Sequence, residues 1–398
     1  MTAPTDRPRV LYLTHRVPYP PDKGDRIRNF HVLRQLAQRA RVWLIALADE
    51  AVTAETTIAL QSLCERVELI PVSRNAQKCR AITSALLGGS LTEGVFCSPR
   101  VLSLARKWTG EAGFTAAIVS ASGLAPYLPK LRIPSSFVDL VDVDSQKWFD
   151  FAAATGVPKR WLYQFEGNRV RKLERDLLKW SKAVFLVSPA EAAMYDTFTH
   201  SGAATVATNG VDLDYFIPDW NLPTKPACAF VGAMDYLPNV DAAIWFANEV
   251  WPRIRAEIPD AEFRVIGRKP TPAVLQLASL PGVTIVGPVP DVRPFVADCA
   301  AVVVPMRLSR GLQNKVLEAL AMGKAVVAAP PALAALQTIS GTHLLAAESV
   351  DDWVSAVVGL LRSPDRQHEL GRAGREFVER HHHWENCLSP LLNRVVGS

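Results

Sequence analysis

Short apolar runs alternate with stretches of helical periodicity along most of the chain. Val10-Leu-Tyr-Leu-Thr14 is the first run and reads as a buried strand. It leads into Pro18-Tyr-Pro-Pro-Asp-Lys-Gly-Asp25, a turn-rich loop. A helix to about Arg39 follows, with Ile27, Phe30, Leu33 and Leu36 on one face, and Val42-Trp-Leu-Ile-Ala-Leu47 is the next strand. That is a βαβ unit. The second half opens the same way: strand Ala227–Val231, loop Gly232–Asn239, helix from Asp241 to about Ile258, strand Phe263–Ile266. Further strands are expected at Ala117–Val119, Ser136–Val141, Val184–Val187, Val283–Val286, Ala301–Val304 and Ala325–Ala328, and Asp351 to Val396 reads mainly helical. Two βαβ starts separated by the Pro-rich segment Pro218–Pro226 predict an α/β chain of two Rossmann-like domains. The divisions are expected at 1–217, 218–375 and a last helical segment, 376–398.

The run from Pro305 to Pro330 is the most informative. It reads as the end of a strand, a loop turning at Gly311, a helix from about Gln313 to Met322, a stop at Gly323 and another buried strand. In an open parallel sheet, ligands bind where strand carboxyl ends meet helix N-termini. Free N–H groups beside Arg310 and Lys315 suit a phosphate. Asn314 and Glu318, four residues apart, share a helix face, and a carboxylate there can accept from paired ribose hydroxyls. An ordinary capped βαβ unit fits the same pattern.

Length and charge narrow the classes. At 398 residues the chain exceeds one typical core. Its 49% hydrophobic and 21% charged content is that of a globular protein. A net charge of +5 suits anionic substrates or an anionic membrane leaflet, and is too weak and dispersed for nucleic acid. The scattered Cys64, Cys79, Cys97, Cys228, Cys299 and Cys387 form no C-x-x-C pair, so neither a zinc site nor a thioredoxin motif is expected. His381-His-His383 is an end-of-helix tract, because adjacent residues do not share a face. No metal and no cofactor are expected. The N-terminus lacks a signal-peptide pattern and no run is long enough to span a bilayer, which predicts a cytoplasmic protein, at most peripheral at the inner membrane face. Lys159 to Trp180, basic and aromatic, suits a membrane-surface helix or a packed helix with a solvated face.

Other candidates lie after strands. Gly232 allows close backbone approach, or is a plain turn glycine. Gly267-Arg268-Lys269 offers cations to phosphates, or solvated loop charges. In the first half, Gly24 permits close approach, and Lys23, Arg26 and Arg28 are cations for a diphosphate or a phosphorylated acceptor; Asp25 is equally readable as a helix cap. His15 is read as structural. Asp139, Asp142 and Asp144 end a strand; clustered carboxylates raise one another's pKa and can accept a hydroxyl proton, or cap the helix expected from Ser145. Asp142 and Asp144 are assigned to catalysis and Asp139 to structure.

Glu318-Ala-Leu-Ala-Met-Gly-Lys-Ala-Val-Val-Ala resembles the donor-binding segment of retaining GT-B glycosyltransferases of family 4, and the likeness runs through nearly the whole chain. Within it, Arg310-Gly-Leu-Gln-Asn-Lys-Val-Leu-Glu318, Asp139-Leu-Val-Asp-Val-Asp-Ser145 and Tyr236-Leu-Pro-Asn239 resemble the branch associated with PEP-CTERM/exosortase exopolysaccharide systems. The resemblance implies a GT-B fold, two Rossmann-like domains facing across a cleft, with the last helix, from Trp384, crossing back. It implies a metal-independent retaining transferase with a nucleotide-diphosphate sugar donor, UDP before GDP, and a saccharide or lipid-linked acceptor. The donor contacts it suggests are Gly24, Gly232, Arg268, Val289, Gly311, Leu312, Asn314, Lys315 and Glu318, with base recognition by backbone near Val289. The chain departs from the family in three places. Ala233 and Pro238 or Asn239 stand where an Arg and a Lys usually grip the diphosphate, and Arg310 stands where the first of two glutamates is usual. The expectation is that Arg310 and Lys315 supply the missing charge. An epimerase of the same fold and a non-catalytic nucleotide-sugar scaffold are the alternatives; a dinucleotide oxidoreductase lacks its G-x-G-x-x-G loop.

Overall fold

The computed structural model describes residues 7–153 and 155–397. Contacts divide the chain into two compact units: one runs to Thr208 and includes Leu388 onward, and the other is Asn209–Cys387. The first unit is built on seven strands: β1 (Arg9–Thr14), β2 (Arg41–Ala48), β3 (Arg66–Pro71), β4 (Ala116–Ser120), β5 (Ser136–Val141), β6 (Ala183–Leu186) and β7 (Ala204–Val206). They pair in the order β3-β2-β1-β4-β5-β6-β7, all parallel. The second unit has β8 (Lys225–Val231), β9 (Glu262–Ile266), β10 (Val283–Gly287), β11 (Cys299–Val304), β12 (Ala325–Ala328) and β13 (Leu345–Ala346), in the order β10-β9-β8-β11-β12-β13, again parallel.

Both sheets owe their form to burial on two faces. β1 and β11 are continuous apolar runs because helices cover each side. Each unit has its own core, the first around Leu11, Trp108, Val138 and Leu186, the second around Phe230, Phe246, Phe263 and Trp353. Strand order reverses direction between β1 and β4, and between β8 and β11. Such a switch point opens a crevice at the strand carboxyl ends.

Three strands escape the hydrophobic pattern. β3 alternates Arg66, Val67, Glu68, Leu69 as an edge strand does, and β7 and β13 are very short edge strands. The expected helix from Asp241 starts earlier, at Leu237, because Pro238 at the first turn presets the backbone. It runs through a π turn at Phe246–Val250 and ends at Glu257. The expected linker Pro218–Pro226 lies inside the second unit. Among the described residues no helix is long and apolar enough to cross a membrane.

Candidate functional site

In the second unit the chemistry gathers at the β8/β11 switch point. Gly232 follows β8, and its N–H donates to Ile266 O (3.0 Å). A side chain on Gly232 would strike Asn239 Nδ2 at 2.7 Å and Lys315 Nζ at 3.1 Å, so only glycine leaves room for both. Gly267 follows β9 and packs so tightly that its Cβ would lie 1.7 Å from Gly232 O. Lys315, in the first turn of the Asn314–Ala321 helix, reaches across the switch point. Its Nζ donates to Asn239 Oδ1 (2.6 Å), lies 3.3 Å from Met306 Sδ beyond β11, and stands over the Phe230 ring at 4.8 Å. Asn239 is buried and anchored by its Nδ2 to Ala233 O (2.9 Å).

Asn314 opens that helix, and its Oδ1 accepts from Asn209 Nδ2 (3.0 Å). Asn209 is itself fixed, because its carbonyl lies 2.9 Å from His382 Nδ1. Sequence reasoning did not find Asn209 and read His382 only as part of an end-of-helix tract, since the two residues that meet here lie 173 positions apart. Glu318 lies one turn after Asn314 on the wall of a small pocket shared with Lys315, Val231 and Met322. Its carboxylate has no hydrogen-bond partner among the described residues. Burial pushes the Glu318 carboxyl up to about 7, opposed by Lys315. Burial brings the Lys315 ammonium down to about 7, opposed by Glu318. Two ionisable groups are thus desolvated side by side, and a ligand with phosphates and hydroxyls could satisfy both.

The surrounding loops complete this face. Gly311 sits in the left-handed region (φ +61°) between Arg310 and the helix, and Arg310 O accepts from Gln313 Nε2 (2.9 Å). Val289 and Leu312 pack their side chains against the core, so they can offer a ligand mainly backbone. Arg268 is half-buried and its carbonyl accepts from Met234 N (2.9 Å). A larger recess of about 250 Å³ lies at the opposite strand ends, beside Ala300 and Ala325; it shares Met322 with the small pocket but is lined by none of the candidate donor residues.

The first unit carries a second constellation at its β1/β4 switch point. His15, after β1, has Nδ1 3.1 Å from Ser120 Oγ at the end of β4 and Nε2 3.2 Å from Asp25 Oδ2. Arg16 also meets Asp25, at 3.0 Å. Burial alone would raise the Asp25 carboxyl, but His15, Arg16 and the Arg26 N–H hold it well below the usual carboxylate range. Asp25 is not the helix cap: Lys23 occupies that position, with no side-chain cap bond. Gly24 opens the helix Gly24–Arg39. The cations expected for a phosphate are already neutralised. Arg28 is buried and makes a bidentate pair with buried Asp139 (Nε–Oδ2 and Nη2–Oδ1, both 2.8 Å). Arg26 pairs with Glu50 (2.7 Å) and Asp22 (3.2 Å), and Lys23 with Glu50 (2.8 Å). Asp139 is a structural ion-pair partner.

The Asp142–Asp144 loop is under strain and held from behind. Val141 has φ +70°, unfavourable for a β-branched residue. Val143 N donates to Glu191 Oε2 (2.7 Å), and Ser145 N and Oγ both donate to Glu174, the N–H at 3.1 Å. Burial, then Asp144, pushes Glu174 up to about 8. The helix starts at Asp144, one residue before the expected Ser145. Asp144 Oδ2 accepts from buried Ser122 (2.6 Å), and Lys147 lies 3.8 Å from Asp144 and 3.9 Å from Asp142. Sequence reasoning missed Glu174 and Glu191, because a buried loop-holding glutamate looks like any helical glutamate. Among the described residues no group of three His, Cys, Asp or Glu side chains is placed to hold a metal ion.

Residues 225–363 match the family model described as glycosyl transferases group 1. The matched segment is about a third of the chain. It contains every donor candidate except Gly24. A search of curated proteins finds no match. Among solved structures, the chain resembles sucrose-phosphate synthase from Thermosynechococcus elongatus (17% identity, TM-score 0.70, covering 95% of this chain and 96% of that one). It also resembles Anabaena HepE solved with UDP and glucose (11%, 0.67, 98% and 99%). A TarM variant from S. aureus, solved with UDP and α-GlcNAc-glycerol among its ligands, is similar as well (11%, 0.70, 98% and 100%). These likenesses establish the GT-B fold, with two Rossmann-like domains. The family match and the fold together support a glycosyltransferase.

Proposed function

We propose that this protein is a retaining glycosyltransferase of family 4 type, moving a sugar from a nucleotide-diphosphate sugar to a hydroxyl of a lipid-linked saccharide in exopolysaccharide assembly at the cytoplasmic membrane face. The observation that carries the reading is Lys315. Its ammonium lies beside the Gly232 backbone and on Asn239, in the loop where the resembling family places its diphosphate-gripping cations. A lysine from the facing helix thus stands in for the absent pair. Arg310, one turn ahead of that helix, is the second phosphate cation. Together they stabilise negative charge on the departing diphosphate. Glu318 accepts from the donor ribose, and Gly311 with the helix N-terminus supplies N–H groups. Asp142 and Asp144 orient the acceptor hydroxyl and accept its proton. Relatives solved with UDP favour UDP as the donor base, with GDP second.

The test is a thermal-shift panel of UDP, GDP, ADP and dTDP, followed by turnover. Selective stabilisation by one nucleoside diphosphate is expected, and its loss in Glu318→Ala. Arg310→Ala is expected to lower kcat on the order of 10²–10³-fold, the usual cost of a missing transition-state donor. Unchanged turnover in Arg310→Ala defeats the relocated-charge reading. Isomerised donor without acceptor would replace transfer by epimerisation.

A further inference from the structure

The first unit carries an apolar surface that its core does not use. At the end of the Arg74–Leu86 helix, Ile82 is exposed, and Leu86 and the following Leu87 are each 82% exposed. Trp161 (67% exposed), Leu162 and Phe165 are exposed on the first turns of the Lys159–Trp180 helix, with Val157 just before it. Arg169 ties the two groups together. Its guanidinium stacks over the Phe165 ring at 4.0 Å, and its Nη1 donates to Ala85 O (2.6 Å) and Gly89 O. The aromatic turn and the leucine pair therefore border one surface.

On these two segments the exposed charge has a single sign. Arg74, Lys78, Ile82 and Leu86 follow at four-residue steps, one stripe of the helix that is basic at its start and apolar at its end. No acidic residue occurs from Val72 to Ser90. Lys159, Arg160 and Lys172 are exposed beside the aromatic turn, and the one carboxylate from Thr155 to Lys172, Glu166, is buried. Glu166 is bound to Leu91 N (2.7 Å) and Thr92 N (2.8 Å). Nearby Glu93 is engaged in a capping box with Ser90. A protein partner with an acidic rim would meet this charge, but isolated, highly exposed leucines and a tryptophan framed by lysine and arginine are what a bilayer interface rewards.

We propose that this surface seats the protein on an anionic lipid bilayer, with Leu86, Leu87, Trp161 and Phe165 entering the headgroup boundary and Arg74, Lys78, Lys159 and Arg160 meeting lipid phosphates. The proposal deepens the lipid-linked acceptor reading by supplying the surface that would hold the enzyme beside such an acceptor. Its test needs no turnover, so the two fail separately. A missing nucleotide response would sink the transferase reading alone.

Co-sedimentation would be measured with phosphatidylcholine vesicles carrying roughly one phosphatidylglycerol in three, against pure phosphatidylcholine. Wild type is expected to bind the anionic vesicles and to dissociate as salt rises. Leu86→Asp with Leu87→Asp, and separately Lys78→Glu with Arg160→Glu, are expected to weaken binding at least about tenfold at unchanged melting temperature, because all four side chains are exposed. Trp161→Ala, a milder change, guards against a folding artefact and is expected to weaken binding less. Wild type that fails to sediment, variants that bind like wild type, or equal binding to neutral vesicles would overturn the proposal. So would light scattering showing a dimer that the leucine variants dissociate, which would make this an interface between copies.

Discussion

Lys315 and Glu318 are held near neutrality by the same desolvation, with one depressed and the other raised to about 7. This gives nucleotide binding a definite pH dependence. A diphosphate favours the charged ammonium, so above pH about 7 binding must take up a proton at Lys315. Donor hydroxyls favour the ionised carboxylate, so below pH about 7 binding must release one from Glu318. Affinity for UDP is therefore expected to peak near pH 7 and to fall on both sides, approaching tenfold per pH unit on each limb. Glu318→Gln should flatten the acid limb and Lys315→Met the alkaline one. Titration calorimetry from about pH 5 to about pH 9 reads this directly. A flat wild-type profile would show that neither group changes protonation on binding.

At the scale of elements, the site depends on two loops touching through glycine. Gly267 rests on Gly232 O so closely that a methyl group would lie 1.7 Å from it. Gly267→Ala must displace the backbone of the β8 or β9 loop, with an expected loss of about 3 kcal/mol or more and of the UDP thermal shift. Gly359 is the contrasting case. It lies exposed within the Val350–Arg362 helix with nothing near its notional Cβ. Gly359→Ala is expected to stabilise by about 0.5–1 kcal/mol through helix propensity alone. Denaturant unfolding of both variants checks the pair, and destabilisation by Gly359→Ala would refute the propensity account. The same elements show what was legible beforehand. β1, β8, β11 and β12 could be read because doubly covered strands are uninterrupted apolar runs, and the Asn314–Ala321 helix because its apolar stripe is bounded by Gly311 and Gly323. The bidentate Arg28–Asp139 pair, which removes an expected phosphate cation, could not be read, because it joins residues 111 positions apart. Asn209, Glu174 and Glu191 escaped for the same reason: each acts through a partner that only the fold supplies.

At the scale of the whole molecule, two units with separate cores should melt as two events, and the donor should act on one of them. The candidate donor residues other than Gly24 all lie in the second unit, Asn209–Cys387. A nucleotide at 100 times its dissociation constant stabilises the folded state it binds by about 2.7 kcal/mol. For a unit of this size that corresponds to a rise in melting temperature of roughly 5–10 °C. Scanning calorimetry with UDP is therefore expected to move one transition and leave the other in place. The stationary transition can be assigned from the chain's last helix. Trp384–Val396 begins in the second unit, but its residues from Leu388 on belong to the first, with Leu391 and Leu392 fully buried and Asn393 accepting from Arg39 (3.1 Å). Leu391→Ala or Leu392→Ala costs about 2–5 kcal/mol by cavity formation, and should lower the transition that UDP does not move. If the leucine variants and UDP shift the same transition, or if only one transition exists, the two units fold as one cooperative body. The stabilisation by a bound donor then reaches the first unit through the shared fold.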